Sequence, residues 1–168
     1  MPKVGIFYGS TSGNTEKVAK LVAAELSDLS PEVKDIKKCA AADLAAYDAL
    51  VIGVPTYDEG MLQEDWDSIW PDMDSVDLSG KKVALFGLGD QDTYPEYFVS
   101  AMGTVYHKVR ECGAVVVGSW PTDGYDFERS EAVVGGSFVG LAIDEDNQAD
   151  LTEERVSKWC SQIKSELV

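Results

Sequence analysis

Seven residues, Gly9-Ser10-Thr11-Ser12-Gly13-Asn14-Thr15, follow a short apolar run and open a stretch with helical spacing. Such a junction offers backbone N–H groups, the positive end of a helix dipole and, here, four hydroxyls. That is the chemistry of a phosphate cradle. The loop lacks the Lys that a triphosphate loop of the G-x-x-x-x-G-K-[ST] type requires, and it lacks the glycine spacing of the dinucleotide fingerprint. Neutral donors of this kind suit a single monophosphate rather than a triphosphate with Mg²⁺. Read more plainly, the same residues make a polar turn with a Ser/Thr helix cap.

Two further loops carry aromatic residues. Pro55-Thr56-Tyr57-Asp58-Glu59-Gly60 follows a second apolar run, and Gly87-Leu88-Gly89-Asp90-Gln91-Asp92-Thr93-Tyr94-Pro95 follows a third. Each tyrosine alone reads as an ordinary loop residue. Together, beside a phosphate cradle, Tyr57 and Tyr94 can enclose a flat ring, since offset stacking is favoured between such systems. A planar ring with a monophosphate tail fits flavin mononucleotide (FMN).

The elements that must position these loops alternate. Apolar runs at 4–8, 49–54, 82–88 and 114–118 read as strands buried on both faces, and the charged segment 32–36 reads as an edge strand. Helical spacing marks 15–29, 40–46, 63–73, about 98–109 and 152–167, the last capped by Asp150 or Thr152. Strands alternating with helices predict an α/β three-layer sandwich, one parallel sheet covered on both sides, in a single domain over residues 1–168. The irregular stretch 119–138 reads as a loop inserted within the last strand, which resumes at 139–143. In such sheets ligands sit beyond the carboxyl ends of the strands, at the switch point of strand order, where the three loops above would meet. Trp66, Trp70 and Trp159 fit core stripes, His107 a packing or surface position, and Cys112 and Cys160 buried filler. Trp120 and Tyr125, in the insertion, read equally as loop packing or as a docking surface.

Composition narrows the partners. The chain has 168 residues, with 30 acids against 14 bases and a formal charge of −16. That surface repels phosphate backbones and disfavours nucleic acid. No apolar stretch approaches the roughly 18 residues of a membrane span. The N-terminus runs directly into a strand, so no signal peptide is expected, and three cysteines without metal spacing suggest a reducing cytoplasm. Ten acids and no Lys or Arg lie between Lys38 and Lys81 (Asp43, Asp48, Asp58, Glu59, Glu64, Asp65, Asp67, Asp72, Asp74, Asp77), and Asp90, Asp92 and Glu96 extend the run. The run reads as a soluble face, or as a field that opposes full reduction of a flavin and steers basic partners.

Taken in order, these motifs resemble the flavodoxin family over essentially the whole chain. The pattern hydroxyl-x-hydroxyl-Gly-x-Thr falls at Ser10, Ser12, Gly13 and Thr15. The flavin-flanking loops fall at Pro55-Thr56-Tyr57 and Gly89-Asp90-Gln91 with Tyr94, and the long-chain insertion at Ser119–Tyr125. The resemblance implies a five-stranded sheet of order 2-1-3-4-5 and non-covalent FMN. Ser10, Thr11, Ser12, Asn14 and Thr15, with Gly13, would hold the phosphate. Tyr94 would stack on the outer ring face and Tyr57 on the inner. Asp90 would accept from the flavin N3–H, Thr56 and Asp146 would contact the ribityl chain, and the Asp58 carbonyl would accept from N5–H. Pro55, Gly60, Gly87, Leu88 and Gly89 would complete the flanking loops. Many members carry Trp at the position of Tyr57. The Asp58-Glu59 turn has no glycine, so left-handed backbone there implies strain. The implied function is a monomeric, low-potential one-electron carrier, not an enzyme. It would cycle between semiquinone and hydroquinone with basic redox proteins such as a ferredoxin/flavodoxin–NADP reductase. The alternative is a flavodoxin-like NAD(P)H:quinone reductase.

Overall fold

The apolar runs form the centre of one sheet. In the computed structural model, which describes residues 2–168, β1 (Val4–Tyr8), β3 (Ala49–Tyr57) and β5 (Lys82–Leu88) lie side by side and parallel. All of β1 and the first seven residues of β3 are buried, because both faces of the sheet are covered. The charged β2 (Glu32–Asp35) takes the edge beside β1, and β6 (Val115–Val117) the edge beside β5. The order is β2-β1-β3-β5-β6, the doubly wound order anticipated from the sequence. Its switch point lies between β1 and β3.

The last strand position is filled twice. β6 pairs with the start of β5 (Lys82↔Val115), and β9 (Leu141–Ile143) pairs with its end (Phe86↔Leu141). The insertion lies between them, as expected. It carries a small hairpin of β7 (Val133–Val134) and β8 (Ser137–Phe138), turned at Gly135 and Gly136 with φ of 63° and 85°. Two consecutive positive φ angles are what a two-residue hairpin turn of this twist demands.

Helices α1 (Asn14–Glu25) and α4 (Thr152–Leu167) cover one face, over Val4, Ile6, Val51 and Phe86. The other face, with Phe7, Leu50, Ile52 and Leu85, packs under α3 (Ser100–Glu111) and α2 (Glu64–Ile69). Neighbouring strand residues thus go to opposite cores, the two-residue period of a strand. Trp66 and Trp159 are fully buried, one in each core.

Several boundaries differ from the sequence reading. The first helix ends at Glu25, followed by a 3-10 turn at Ser27–Leu29. The 63–73 segment splits, because Pro71 has no N–H to continue α2, and Trp70–Ser75 becomes a 3-10 turn. Segment 41–46 is also 3-10 rather than α. Neither Asp150 nor Thr152 caps α4: a 3-10 turn, Ala149–Leu151, leads into it, and the Thr152 hydroxyl donates instead to Glu145 Oε2 at 2.9 Å. A short β4 (Met61–Leu62) folds back antiparallel on the end of β3, where only a loop was anticipated. Among the described residues no helix is long and apolar enough to cross a membrane.

Candidate functional site

Four loops leave the carboxyl ends of β1, β3, β5 and β9 and surround one cleft. Its walls are Ser12, Asn14 and Thr15, then Pro55 to Asp58, then Leu88 to Asp90 with Tyr94, and finally Glu145 and Asp146. Most of the residues singled out in the sequence therefore converge. Glu145 was not among them, although its place in a loop at the ligand edge of the sheet was a usable signal.

The phosphate end is built by local backbone. Gly13 has φ 95° and precedes α1. Its N–H donates to Ser10 Oγ at 3.0 Å, and its carbonyl accepts the first helical bond, from Lys17 N–H at 3.0 Å. Helix geometry then leaves the N–H groups of Asn14, Thr15 and Glu16 without carbonyl partners inside the helix, at the end that favours an anion. A Cβ on Gly13 would meet nothing within 4 Å, so the glycine serves the positive φ and not a close contact. Thr15 is buried beneath it, while Ser12 and Asn14 are exposed. Ser10 and Gly13 shape the loop rather than line the cleft. Thr11 faces an adjoining groove and accepts from Gln63 Nε2 at 3.3 Å. Lys17, in the first turn of α1, is drawn off by Glu145, 2.6 Å away, so its charge is already paired.

The ring end draws on separate loops. Tyr57 stands at the end of β3, and β4 returns beside it through a turn with Asp58 at φ 47° and Gly60 at φ 84°. The turn thus adopts left-handed backbone at a non-glycine residue, where Asp is tolerated better than most. Thr56 Oγ accepts the Ala101 N–H at 3.1 Å, which ties the strand end to the first turn of α3. Gly87 does not line the cleft: a Cβ there would strike Met102, so this glycine lets α3 approach β5. Gly60 also lies outside the lining.

Asp90 is the organiser of its own loop. Its Oδ1 accepts from the backbone N–H of Asp92 (3.1 Å) and Thr93 (3.0 Å) and from Asn147 Nδ2 (2.8 Å). Its carbonyl accepts from Tyr94 N–H at 2.9 Å. Burial works to raise its carboxyl, but these donors outweigh it and hold the group below the ordinary aspartate range. Only Oδ2 remains for the anticipated contact with a ring N–H.

Asp58, Asp90, Glu145 and Asp146 put four carboxylates in the cleft wall, which contains no Lys or Arg. Asp146 is raised above the usual range, first by partial burial and then by Asp90, Asp144 and Glu145 around it. The long acidic run contributes less than its length suggests. Asp58, Glu64 and Asp67 border the groove next to Tyr57, with Thr11, Met61 and Leu62. Asp48 accepts from Lys3 N–H at 2.7 Å, Asp74 pairs with Lys108 at 2.7 Å, and Asp77 closes its own turn on Ser79.

The insertion packs against β9. Trp120 Nε1 donates to Tyr125 Oη at 2.9 Å, and Tyr125 donates to the Ala142 carbonyl at 2.6 Å. The Arg155 guanidinium lies 4.1 Å from the Tyr125 ring centre. Burial pushes the Tyr125 hydroxyl up to about 12. Both Trp120 and Tyr125 are half-buried and take part in loop packing.

A doubly wound sheet with an uncharged phosphate cradle and an acidic, tyrosine-lined cleft at its switch point defines a class of mononucleotide-binding α/β proteins. The chain belongs to the flavodoxin family, whose profile matches residues 6–159. It is 48% identical over 168 residues to the flavodoxin of Haemophilus influenzae, covering 99% of this chain and 97% of that one. With the flavodoxin of Synechococcus elongatus the identity is 50% over 167 residues, covering 99% and 98%. The crystal structure of a Fusobacterium nucleatum flavodoxin bound to flavin mononucleotide superposes with a TM-score of 0.95 at 31% identity, over 100% of both chains. Flavodoxins are themselves the standard illustration of a ligand held at the switch point of this strand order.

Proposed function

We propose that this flavodoxin holds FMN in the cleft and carries single electrons between basic redox proteins. The observation that supports the reading best is the joining, in one cleft, of the unpaired N–H groups of α1 with Tyr57 and Tyr94. The residues fit the group: neutral donors at a helix start for a phosphate, aromatic walls for a flat ring, and, among the described residues, no cation in the lining. Bound flavin supplies a centre that accepts and returns one electron at a time. The chain does the rest. Ser12, Asn14 and Thr15, with the N–H groups of the first turn of α1, bind the phosphate. Tyr94 and Tyr57 cover the outer and inner ring faces and exclude water. Thr56 and Asp146 border the ribityl chain. The Asp58 turn offers a carbonyl to N5–H, and Asp90 Oδ2 an acceptor to N3–H.

The carboxylates of the lining oppose the last negative charge and so lower the potential of the second electron. Unpaired charges within about 8–10 Å are still felt at physiological salt. The same acids favour a partner that is basic where it docks. Residues 1–168 act as one domain and as a monomer, and the three free thiols, Cys39, Cys112 and Cys160, suit a reducing cytoplasm.

The test is to mix FMN-loaded protein with NADPH under argon, with and without a basic NADPH-dependent reductase. The carrier reading expects no NADPH oxidation unaided. It expects reduction through the reductase at a rate that falls as salt rises beyond about 0.1 M. Unaided oxidation at a comparable rate would contradict it and favour a quinone reductase.

A further inference from the structure

Asp144 follows β9 and is fully buried, yet among the described residues no Lys or Arg forms an ion pair with it. Five N–H bonds stand in for a counter-charge. Oδ1 accepts from the backbone of Asp146 (3.1 Å) and Asn147 (3.0 Å). Oδ2 accepts from Gln91 N (3.1 Å), Gln91 Nε2 (2.7 Å) and Asn147 Nδ2 (2.9 Å). A buried carboxylate persists only when hydrogen-bonded in this way. Gln91 is itself only 4% exposed, and its Oε1 accepts the Asp126 N–H at 2.6 Å. One buried amide thus joins the loop after β5, the loop after β9 and the insertion. Its chain neighbour is Asp90, and Tyr94 stands three residues on.

The far end of the same loop is constrained too. Val99, buried and β-branched, has φ 48°, a conformation that persists only where the surroundings over-determine it. A Cβ at Gly89 would lie 2.8 Å from the Val99 nitrogen, so the loop closes tightly on its own base. Neither Gln91 nor Asp144 lines the cleft.

We propose that Gln91 and Asp144 are positioning residues of the ring site: they hold the segment carrying Asp90 and Tyr94 and couple the insertion to it, without touching the ligand. The inference rests on the FMN reading above. It places the pair's main effect at the ring end, because the phosphate donors belong to α1 and the braced loop meets that helix through the Glu145–Lys17 pair.

The test titrates the full-length apoprotein with riboflavin and with FMN, in wild type and in Gln91→Met, which keeps volume and removes both amide bonds. Loss of a hydrogen bond to a buried charge predicts a fall in riboflavin affinity on the order of tenfold. FMN affinity should fall by the same factor, leaving the ratio of the two unchanged. Amide hydrogen exchange should quicken at 90–94 and at Asp126 but not at 14–16. Asp144→Asn keeps the shape but sets an NH2 against the donors of Gln91 and Asn147, so it too should lose riboflavin affinity; this variant decides the matter if Gln91→Met does not fold. Unchanged riboflavin affinity or a loss confined to FMN would overturn the proposal. Wild-type protein that binds neither flavin would end the FMN reading and this one with it; a wild type that binds both, beside a variant indistinguishable from it, would end this one alone.

Discussion

At the proposed phosphate end of the cleft, every proposed donor comes from one stretch of chain, Ser12 to Glu16, and its geometry is that of a helix beginning. At the ring end, Tyr57 and Tyr94 stand on separate loops, and their placement depends on contacts made far along the chain. Thr56 accepts from Ala101 across 45 positions, and Gln91 reaches across 53 to Asp144. A Cβ at Gly9 would collide with Gln63 and Trp66, so even the approach of α2 to the phosphate loop depends on a missing side chain. The contrast teaches that the donors at one end follow from a local helix start, although Gln63 also ties that loop at Thr11, while the aromatics at the other end are placed mainly by long-range side-chain braces. The two ends should therefore fail separately.

The largest separation should come from Ser12→Ala with Thr15→Val. Each loses a hydroxyl bond to a charged phosphate, worth about 1.5–3 kcal/mol. FMN affinity should fall by about a hundredfold or more, with riboflavin affinity unchanged by calorimetric titration. Equal losses for both ligands would mean that the ends are not independent.

Tyr125→Phe probes the braces from the insertion side. It removes the bond to the Ala142 carbonyl and leaves Trp120 Nε1 without its acceptor. Chemical denaturation should show a loss of about 1–3 kcal/mol. The same residue gives a pH signature. Its folded pKa, about 12, lies above the ordinary 10.0, so burial favours the neutral phenol. That stabilisation is complete below pH 10 and is lost as pH rises through 10 to 12. The variant should unfold less steeply over that window, and an unchanged alkaline profile would place Tyr125 outside the folded packing.

Smaller effects belong to charge. Replacing Asp58 and Asp146 by Asn should raise the potential of the second electron by about 20 mV per charge at ~8 Å in water-like dielectric. Asp146→Asn alone should raise Tm by about one degree at pH 7, a small effect because the group is largely exposed. Its folded pKa is raised, so the native state loses stability as pH climbs through the raised value. The gain from Asn should therefore vanish in scans below about pH 4, where the aspartate is protonated in both states.

The same division decides what could be read from the residues alone. Strands β1, β3 and β5 are continuous apolar runs, and the phosphate loop lies between one of them and a helix, so both the sheet and the cradle were legible. Tyr57 and Tyr94 were legible as aromatics at strand ends. The bracing roles of Gln63, Gln91 and Asp144 were not, although Gln91 falls within the flanking-loop motif, because nothing local marks a polar side chain whose partners lie on another loop. Glu145 was legible only through its place in a loop at the ligand edge of the sheet; its partners, Lys17 and Thr152, come from two different helices and were not. Trp120 and Tyr125 stayed undecided because an aromatic in a loop can face solvent or β9 with the same local sequence. Pro71 was a local signal passed over in favour of the apolar stripe around it.

The central claim is that the cleft holds FMN and passes one electron at a time. Stepwise anaerobic reduction of the FMN-loaded protein, followed by visible spectroscopy, tests it most directly. The account predicts two separate one-electron steps, with a one-electron-reduced form accumulating between them and the second potential well below the first. A single two-electron step with no such form would contradict it.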